Sequence, residues 1–193
     1  EEMEGETPVW TTFAYGPASS LYAASDSGTV SLISNGKPTA LLRCSSPVNA
    51  IAVDGTHMLI GCADGVLRWY SLPNLEATAV AELEDSIDEE AHLLFSAAFE
   101  AGIAALTYSP DYTRLLAATS AGEIYHIRYK VDELPLEPAD PNKILESDKV
   151  SSFHTSAVVA TTPLSVLLEN GDVAGYDVVT CSTDGTLRCT DAL

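Results

Sequence analysis

Polar and apolar residues alternate along most of this chain in short runs, and glycine punctuates the runs. "YAASDSGTVSLI" begins at Tyr22, "LIGCADGVLRWYSL" at Leu59, "LLAATSAGEIYHIRY" at Leu115 and "TCSTDGTLRC" at Thr180. In each, small and apolar residues lead into a polar pair ending in glycine, at Gly28, Gly65, Gly122 and Gly185, and an alternating strand follows. A period-two run, a tight glycine turn and a second such run form a β-hairpin. The chain repeats that hairpin four times.

More strand pattern surrounds each hairpin. "VWTTFAYG" (9–16) precedes the first and "ALLRC" (40–44) follows it. "VNAIAVDG" (48–55) precedes the second, "GIAALTYSPD" (102–111), with its Ser109-Pro110-Asp111 turn, the third, and "AVVATTPL" (157–164) the fourth. The unit is therefore strand A, turn, strand B, glycine turn, strand C, looser connection, strand D. Four short antiparallel strands at a period of roughly 40 residues predict an all-β fold made of propeller blades. The expected division is an acidic segment over 1–8 and blades over 9–45, 46–99, 100–156 and 157–193, the last without strand D.

The glycines are spaced 37, 57 and 63 residues apart, so the later blades carry insertions. One is acidic, Pro73 to Glu90. The second, Val131 to Asp148, is proline-rich and reads as an irregular loop, and the third, Ser165 to Asp177, as a short extra hairpin around Asn170-Gly171. "SIDEEAHLLFSAAFEAG" (86–102) has two readings. As a helix it has a capping box at Ser86 and Glu89 and Gly102 just past its end. As strand D over "HLLFSAAF" it places Phe99-Glu100 where Phe153-His154 falls in the next blade, and this reading is preferred. Strands in a blade alternate in direction, so A–B and C–D connections leave at one end. All three insertions are then expected on one face. Their densest acidic cluster, Glu82, Glu84, Asp85, Asp88, Glu89 and Glu90, is the candidate partner-binding surface.

Charge narrows the choice of partner. The chain has 28 acidic and 9 basic residues, a formal net charge of −19. Nucleic acid selects basic footprints, and anionic membrane surfaces repel an acidic field, so neither is expected. Other proteins with basic surfaces are. There is no apolar run near 18 residues and no signal peptide, which points to a cytoplasmic protein. Cys44, Cys62, Cys181 and Cys189 are scattered, as are His57, His92, His126 and His154. No metal site is expected from them, and the thiols read as reduced and buried. Neither a GxxxxGK[ST] nor a GxGxxG loop occurs, so no cofactor is implied, and there is no GxSxG nucleophile elbow.

The repeat resembles the WD40 family. In blade 4, "SFHTSAVVATTP" has His154 where the family's Gly-His dipeptide places its histidine. "CSTDGTLRCTDAL" supplies Ser182 and Asp184 at the strand-B and turn positions, with Asp191 at the terminal Asp. "SPDYTRLLAATSAGEIYHI" matches the turn and core pattern of the third blade. The family's Trp is replaced by Ile33, Tyr70, Ile127 and Thr190, and the terminal Asp survives in blade 4 alone. WD40 propellers usually close with about seven or eight blades. The resemblance therefore implies a partial propeller, completed by further blades of a longer chain or by another chain. The opening "EEMEGETP", which lacks an initiator methionine, fits such a piece.

In WD40-like blades His154, Ser182 and Asp184 imply a structural hydrogen-bond network rather than a catalytic triad. The strand-A ends, "NAIAVDG", "IAALTYS" and "VVATTP", are small and apolar, unlike the polar funnel of a propeller hydrolase. The expected function is a non-catalytic interaction scaffold in a large assembly. The degenerate blades and acidic insertions resemble the multi-propeller WD40 proteins of cilia and flagella. A nuclear or cytoplasmic scaffold, and then a propeller-fold hydrolase, are the alternatives.

Overall fold

The computed structural model describes residues 9–72, 93–109, 114–129, 145–152, 154–167 and 173–191. Their strands form four sheets, each an antiparallel meander. Blade 1 is β1 (Trp10–Tyr15), β2 (Leu21–Ser25), β3 (Thr29–Ser34) and β4 (Lys37–Arg43). Blade 2 is β5 (Val48–Val53), β6 (His57–Cys62), β7 (Val66–Ser71) and β8 (Leu93–Ala98). Blade 3 is β9 (Ile103–Tyr108), β10 (Arg114–Thr119), β11 (Glu123–Tyr129) and β12 (Leu145–Ser152). Blade 4 has three strands, β13 (Val158–Leu167), β14 (Val173–Ser182) and β15 (Leu187–Asp191). The first strand of each blade touches the first strand of the next, β1 to β5, β5 to β9 and β9 to β13. The blades thus stand side by side in an arc with strand A innermost.

Period-two alternation decides what each blade buries. Three apolar seams result. Tyr22, Ala24, Val30 and Leu42 of blade 1 meet Ile51, Met58, Ile60 and Tyr70 of blade 2. Leu59, Leu67 and Trp69 on the other side of blade 2 meet Ile103, Leu115, Ala117 and Ile127 of blade 3. Ala105, Leu116, Ala118 and Ile124 of blade 3 meet Val158 and Val178 of blade 4.

The four repeat glycines hold the left-handed conformation, with φ of +86°, +85°, +84° and +81° in chain order. Such a φ admits L side chains only with strain. The first three are also crowded. A Cβ on Gly28 would sit 2.3 Å from the Cys44 carbonyl oxygen, on Gly65 2.6 Å from that of Phe99, and on Gly122 2.4 Å from that of His154. The chain leaving strand D therefore folds over the glycine turn of its own blade. The Cys44 and Phe99 amides donate to the Gly28 and Gly65 carbonyls at 2.9 Å.

The structure decides several sequence expectations, and the preferred strand over "HLLFSAAF" is the first. Residues 93–98 are strand, not helix, because they complete the ladder along β7, with Trp69 opposite Phe95 and Leu67 opposite Ala97. The glycine contacts make Phe99 the counterpart of His154, so the expected pairing of Phe99-Glu100 with Phe153-His154 was one residue out. Leu145 to Asp148, read as loop, is strand D of blade 3, with His126 opposite Asp148 and Arg128 opposite Glu146. The extra hairpin at 165–177 is instead the outer part of β13 and β14, whose pairing runs on to Leu167 opposite Val173. Alternation continues through this stretch, so the ladder has no reason to stop where β15 does. Pro163 is tolerated because β13 is an edge strand. The acidic insertion, Pro73 to Glu90, lies outside the described residues.

Candidate functional site

Blade 4 holds the polar constellation that the sequence singled out. The turn after β14 places Asp184 where its carboxylate accepts from the Thr186 amide at 2.9 Å and from the Thr186 hydroxyl at 2.6 Å. Its second oxygen accepts from the Thr155 amide at 2.9 Å and lies 3.3 Å from His154 Nδ1. The buried His154 ring is engaged on both nitrogens, Nδ1 with Thr186 Oγ1 at 2.9 Å and Nε2 with Thr180 Oγ1 at 2.8 Å. Hydrogen bonding from the Thr186 hydroxyl is the largest influence on Asp184. With the Thr155 and Thr186 amides and His154, it holds the carboxyl well below the usual carboxylate range.

Ser182 is close but belongs to a different arm of this network. Its hydroxyl donates to the Ser156 carbonyl at 3.1 Å and accepts from the Asp184 amide at 3.2 Å. The hydroxyls on His154 are those of Thr180 and Thr186. A nucleophile needs the histidine as its base and an open approach. Ser182 is buried and turned to a backbone carbonyl, so these three residues tie a turn to the incoming chain and form no Ser-His-Asp relay.

The same corner is built differently in the other blades. Phe99 replaces the histidine ahead of blade 3, and its ring meets Tyr125 edge-on with centroids 4.8 Å apart. Cys44 fills the position ahead of blade 2 and is buried in the first seam. There Arg68, three residues past the turn glycine, bonds Asp64 at 3.3 Å and Ser45 at 3.4 Å. Arg68 is buried and paired with Asp64; Arg188, at the same offset in blade 4, is exposed. The thiols divide too. Cys44 and Cys62 are buried, but Cys181 and Cys189 are exposed, against expectation, because they lie on the open side of blade 4; none of the four forms a disulfide.

A second polar cluster, not anticipated from the sequence, sits at the opposite end of the blades. Asp54, in the turn between β5 and β6, accepts from the Thr56 amide at 2.9 Å, the His57 amide at 2.7 Å and the Thr56 hydroxyl at 3.1 Å. Its other oxygen lies 3.1 Å from His57 Nδ1 and accepts from the Tyr108 hydroxyl at 3.5 Å, a tie from blade 2 to blade 3. His57 also meets Trp69 edge-on at 5.9 Å. Burial alone raises the Asp54 carboxyl, but the bonds from His57 and Thr56 outweigh it and leave it below its ordinary value. The visible signal was "DGTH" itself, an Asx turn whose carboxylate caps amides two and three residues on. Among the described residues no group of three or more His, Cys, Asp or Glu side chains is placed to hold a metal ion.

The meander fixes where the connections emerge. β7 ends and β8 begins at the same end of blade 2 as the Asp54 turn, and β11 and β12 are joined at that end of blade 3. The tip of β13 and β14 projects there from blade 4. The His154 network and the glycine turns occupy the other end. The candidate residues Glu82, Glu84, Asp85, Asp88, Glu89 and Glu90 lie outside the described residues, on the segment joining β7 to β8.

Solved structures place this architecture among known folds. Saccharomyces cerevisiae Sqt1 matches 96% of this chain with a TM-score of 0.65 at 13% identity. Chaetomium thermophilum Sqt1, bound to the N-terminus of the ribosomal protein L10, matches 94% with a TM-score of 0.64 at 18% identity. The fold is a WD40-like propeller segment. The chain spans 46% of each Sqt1 chain, but 94% of the computationally designed Ika4 protein, which matches 97% of it with a TM-score of 0.57 at 17% identity. No protein-family model and no curated protein matches the sequence. No helix among the described residues is long and apolar enough to cross a membrane.

Proposed function

We propose that this chain is a non-catalytic interaction scaffold whose WD40-like blades dock a basic protein on the face bearing the A–B and C–D connections. The observation that carries the reading is topological: consecutive antiparallel pairing leaves the strand ends that flank residues 73–92, 130–144 and 168–172 at one end of the arc. Those segments hold 13 of the 28 acidic residues and 2 of the 9 basic ones. Acidic connections gathered at one end make a local field that a basic surface complements, and such fields raise association rates and set orientation. The opposite face carries short turns whose polar groups are engaged with one another. The finer reading, an axonemal assembly of a cilium or flagellum, rests on the resemblance of the degenerate, acid-inserted blades to proteins of that setting.

Crosslinking within the native assembly tests the docking face. Crosslinks are expected at 73–92, 130–144 and 168–172; crosslinks confined to the Gly28, Gly65 and Gly185 turns overturn the assignment. Replacing Glu82, Glu84, Asp85, Asp88, Glu89 and Glu90 by their amides is expected to weaken partner binding by about tenfold or more at low salt. His154→Ala, at the other end, is the control. It removes partners from Thr180 and Thr186 and is expected to cost about 1–3 kcal/mol of stability without changing partner affinity. Microscopy of the tagged full-length protein tests the axonemal reading separately.

A further inference from the structure

Among the described residues Arg68 is the one buried lysine or arginine. Its Nη2 is shared: it lies 3.3 Å from Asp64 Oδ2 and donates to Ser45 Oγ at 3.4 Å. The Arg68 side chain is 8% exposed and that of Asp64 35%. Ser45 itself is exposed, in the connection from β4 to β5. That connection is held in place, since the Cys44 and Ser46 carbonyls pack over Gly28 and the Cys44 amide donates to the Gly28 carbonyl at 2.9 Å. An exposed hydroxyl thus stands at a fixed place against a buried cation. The neighbouring blades show that this place takes negative charge. Cys44, Phe99 and His154 are equivalent, so Ser45 corresponds to Glu100 and Thr155. The Thr155 amide donates to the turn acid Asp184 at 2.9 Å, so connection and turn are in contact at this position. Glu100 is an exposed acid, and the turn of its blade has Ala121 where blades 2 and 4 have Asp64 and Asp184. Each of these corners therefore carries one acid, on the turn or on the connection.

We propose that Ser45 is a phosphorylation site and that Arg68 receives its phosphoryl group. A serine kinase moves the terminal phosphoryl group of a nucleoside triphosphate to Ser45 Oγ. The new O–P bond forms as the bond to the bridging oxygen breaks, the hydroxyl proton passes to solvent, and the nucleoside diphosphate leaves. Arg43, exposed two residues earlier in the chain, offers such a kinase a basic determinant. The added group carries a charge of about −1.5 to −2 near neutral pH, and its oxygens match the arginine fork better than one carboxylate oxygen does. Arg68 then turns from Asp64 to the phosphate. Asp64 keeps the bond that its Oδ1 accepts from the Val66 amide at 2.9 Å, so the turn survives while Oδ2 goes to water. Ser46 is the poorer candidate, because it is half-buried and its hydroxyl already accepts from the Asp64 amide at 3.2 Å. The modified Ser45 pins the connection between blades 1 and 2 to β7. This is independent of the docking face proposed above, since Ser45 lies at the glycine-turn end.

Two measurements test it. Mass spectrometry of the protein isolated from its own cells and cut after Arg43 and Arg68 is expected to find one added HPO3 within residues 44–68, on Ser45. The full chain carrying Ser45→phosphoserine is then titrated by phosphorus NMR. The second ionisation of the phosphate is expected about one unit or more below its value in the same chain unfolded in urea, and Arg68→Met is expected to return it toward that value. If Arg68→Met does not fold, Asp64→Asn carries the test: it leaves the cation without its rival anion, and the midpoint is expected to fall further. Phosphate on Ser46 alone, or none on residues 44–68, overturns the proposal. So does a midpoint that is equal in the folded and unfolded chains, or one that Asp64→Asn leaves unmoved.

Discussion

Two glycines with nearly the same φ sit in different surroundings. Gly122 and Gly185 both hold a φ above +80°, but a Cβ on Gly122 meets the His154 carbonyl, and one on Gly185 meets nothing within 4 Å. Backbone strain costs about 1–2 kcal/mol at either position, and overpacking adds about 1–3 kcal/mol at Gly122 alone. Gly122→Ala is therefore expected to lower stability clearly more than Gly185→Ala in denaturant titrations. A second residue-scale prediction concerns acid. The Asp54 carboxyl is held below its ordinary value when folded, so its contribution is present above the unfolded value, about 3.9, and is lost as pH falls through the folded one. Asp54→Asn is expected to flatten the loss of stability as pH falls below about 4, at the cost of lower stability at pH 7. Thermal melts across that range read both effects. At this scale the sequence showed less than the structure. His154 and Asp184 stood out because the residue types are distinctive at their spacing. Thr180 and Thr186 did not, because threonine is ordinary in strands and beside turns, and only the fold brings their hydroxyls to one ring.

At the scale of elements the glycine hairpins were legible, since alternation and a turn that demands positive φ are both local properties. Boundaries that depend on a distant partner were not. Asn170-Gly171 has the composition of a tight turn and reads as a separate hairpin, whereas the pairing of the described strands on either side of it, as far as Leu167 opposite Val173, continues β13 and β14. Leu145 looked like loop because Glu146 and Asp148 interrupt the apolar pattern, yet strand D is a blade's outer edge, where charge is tolerated and discourages edge-to-edge pairing. Phe99 was misaligned by one residue because the turn glycine that it covers lies 34 residues earlier in the chain. The projecting hairpin makes its own prediction. β15 opposes Asp177 to Cys181 of β14, so the stretch beyond pairs with β13 alone. A bare two-stranded ribbon is marginally stable by itself. Replacing residues 165–176 with a two-residue Asn-Gly turn is expected to cost less than about 1 kcal/mol, since a shorter loop closes with less entropy. A much larger loss in a chemical melt would mean that the ribbon supports the arc.

Across the whole molecule the apolar seams are unequal. Among the described residues the first contains 13 buried apolar side chains, the second 9 and the third 6. Burial of apolar area is the main favourable term in folding, so the arc should loosen from blade 4 backwards. Native-state hydrogen exchange is expected to show the amides of β2, β3 and β6 protected best and those of β14 and β15 least, in contiguous units; equal protection across all four sheets would contradict this order. The strongest seam is also a local one. Each of its 13 side chains lies between Tyr22 and Leu72, so its contacts span a short stretch of sequence and close with little loop entropy. A ribosome extends a chain from its N-terminal side at roughly 5–20 residues per second. Blades 1 and 2 therefore have their shared core in hand, lacking only β8, while the rest of the arc is still being translated. Each later blade then adds to a sheet already in place.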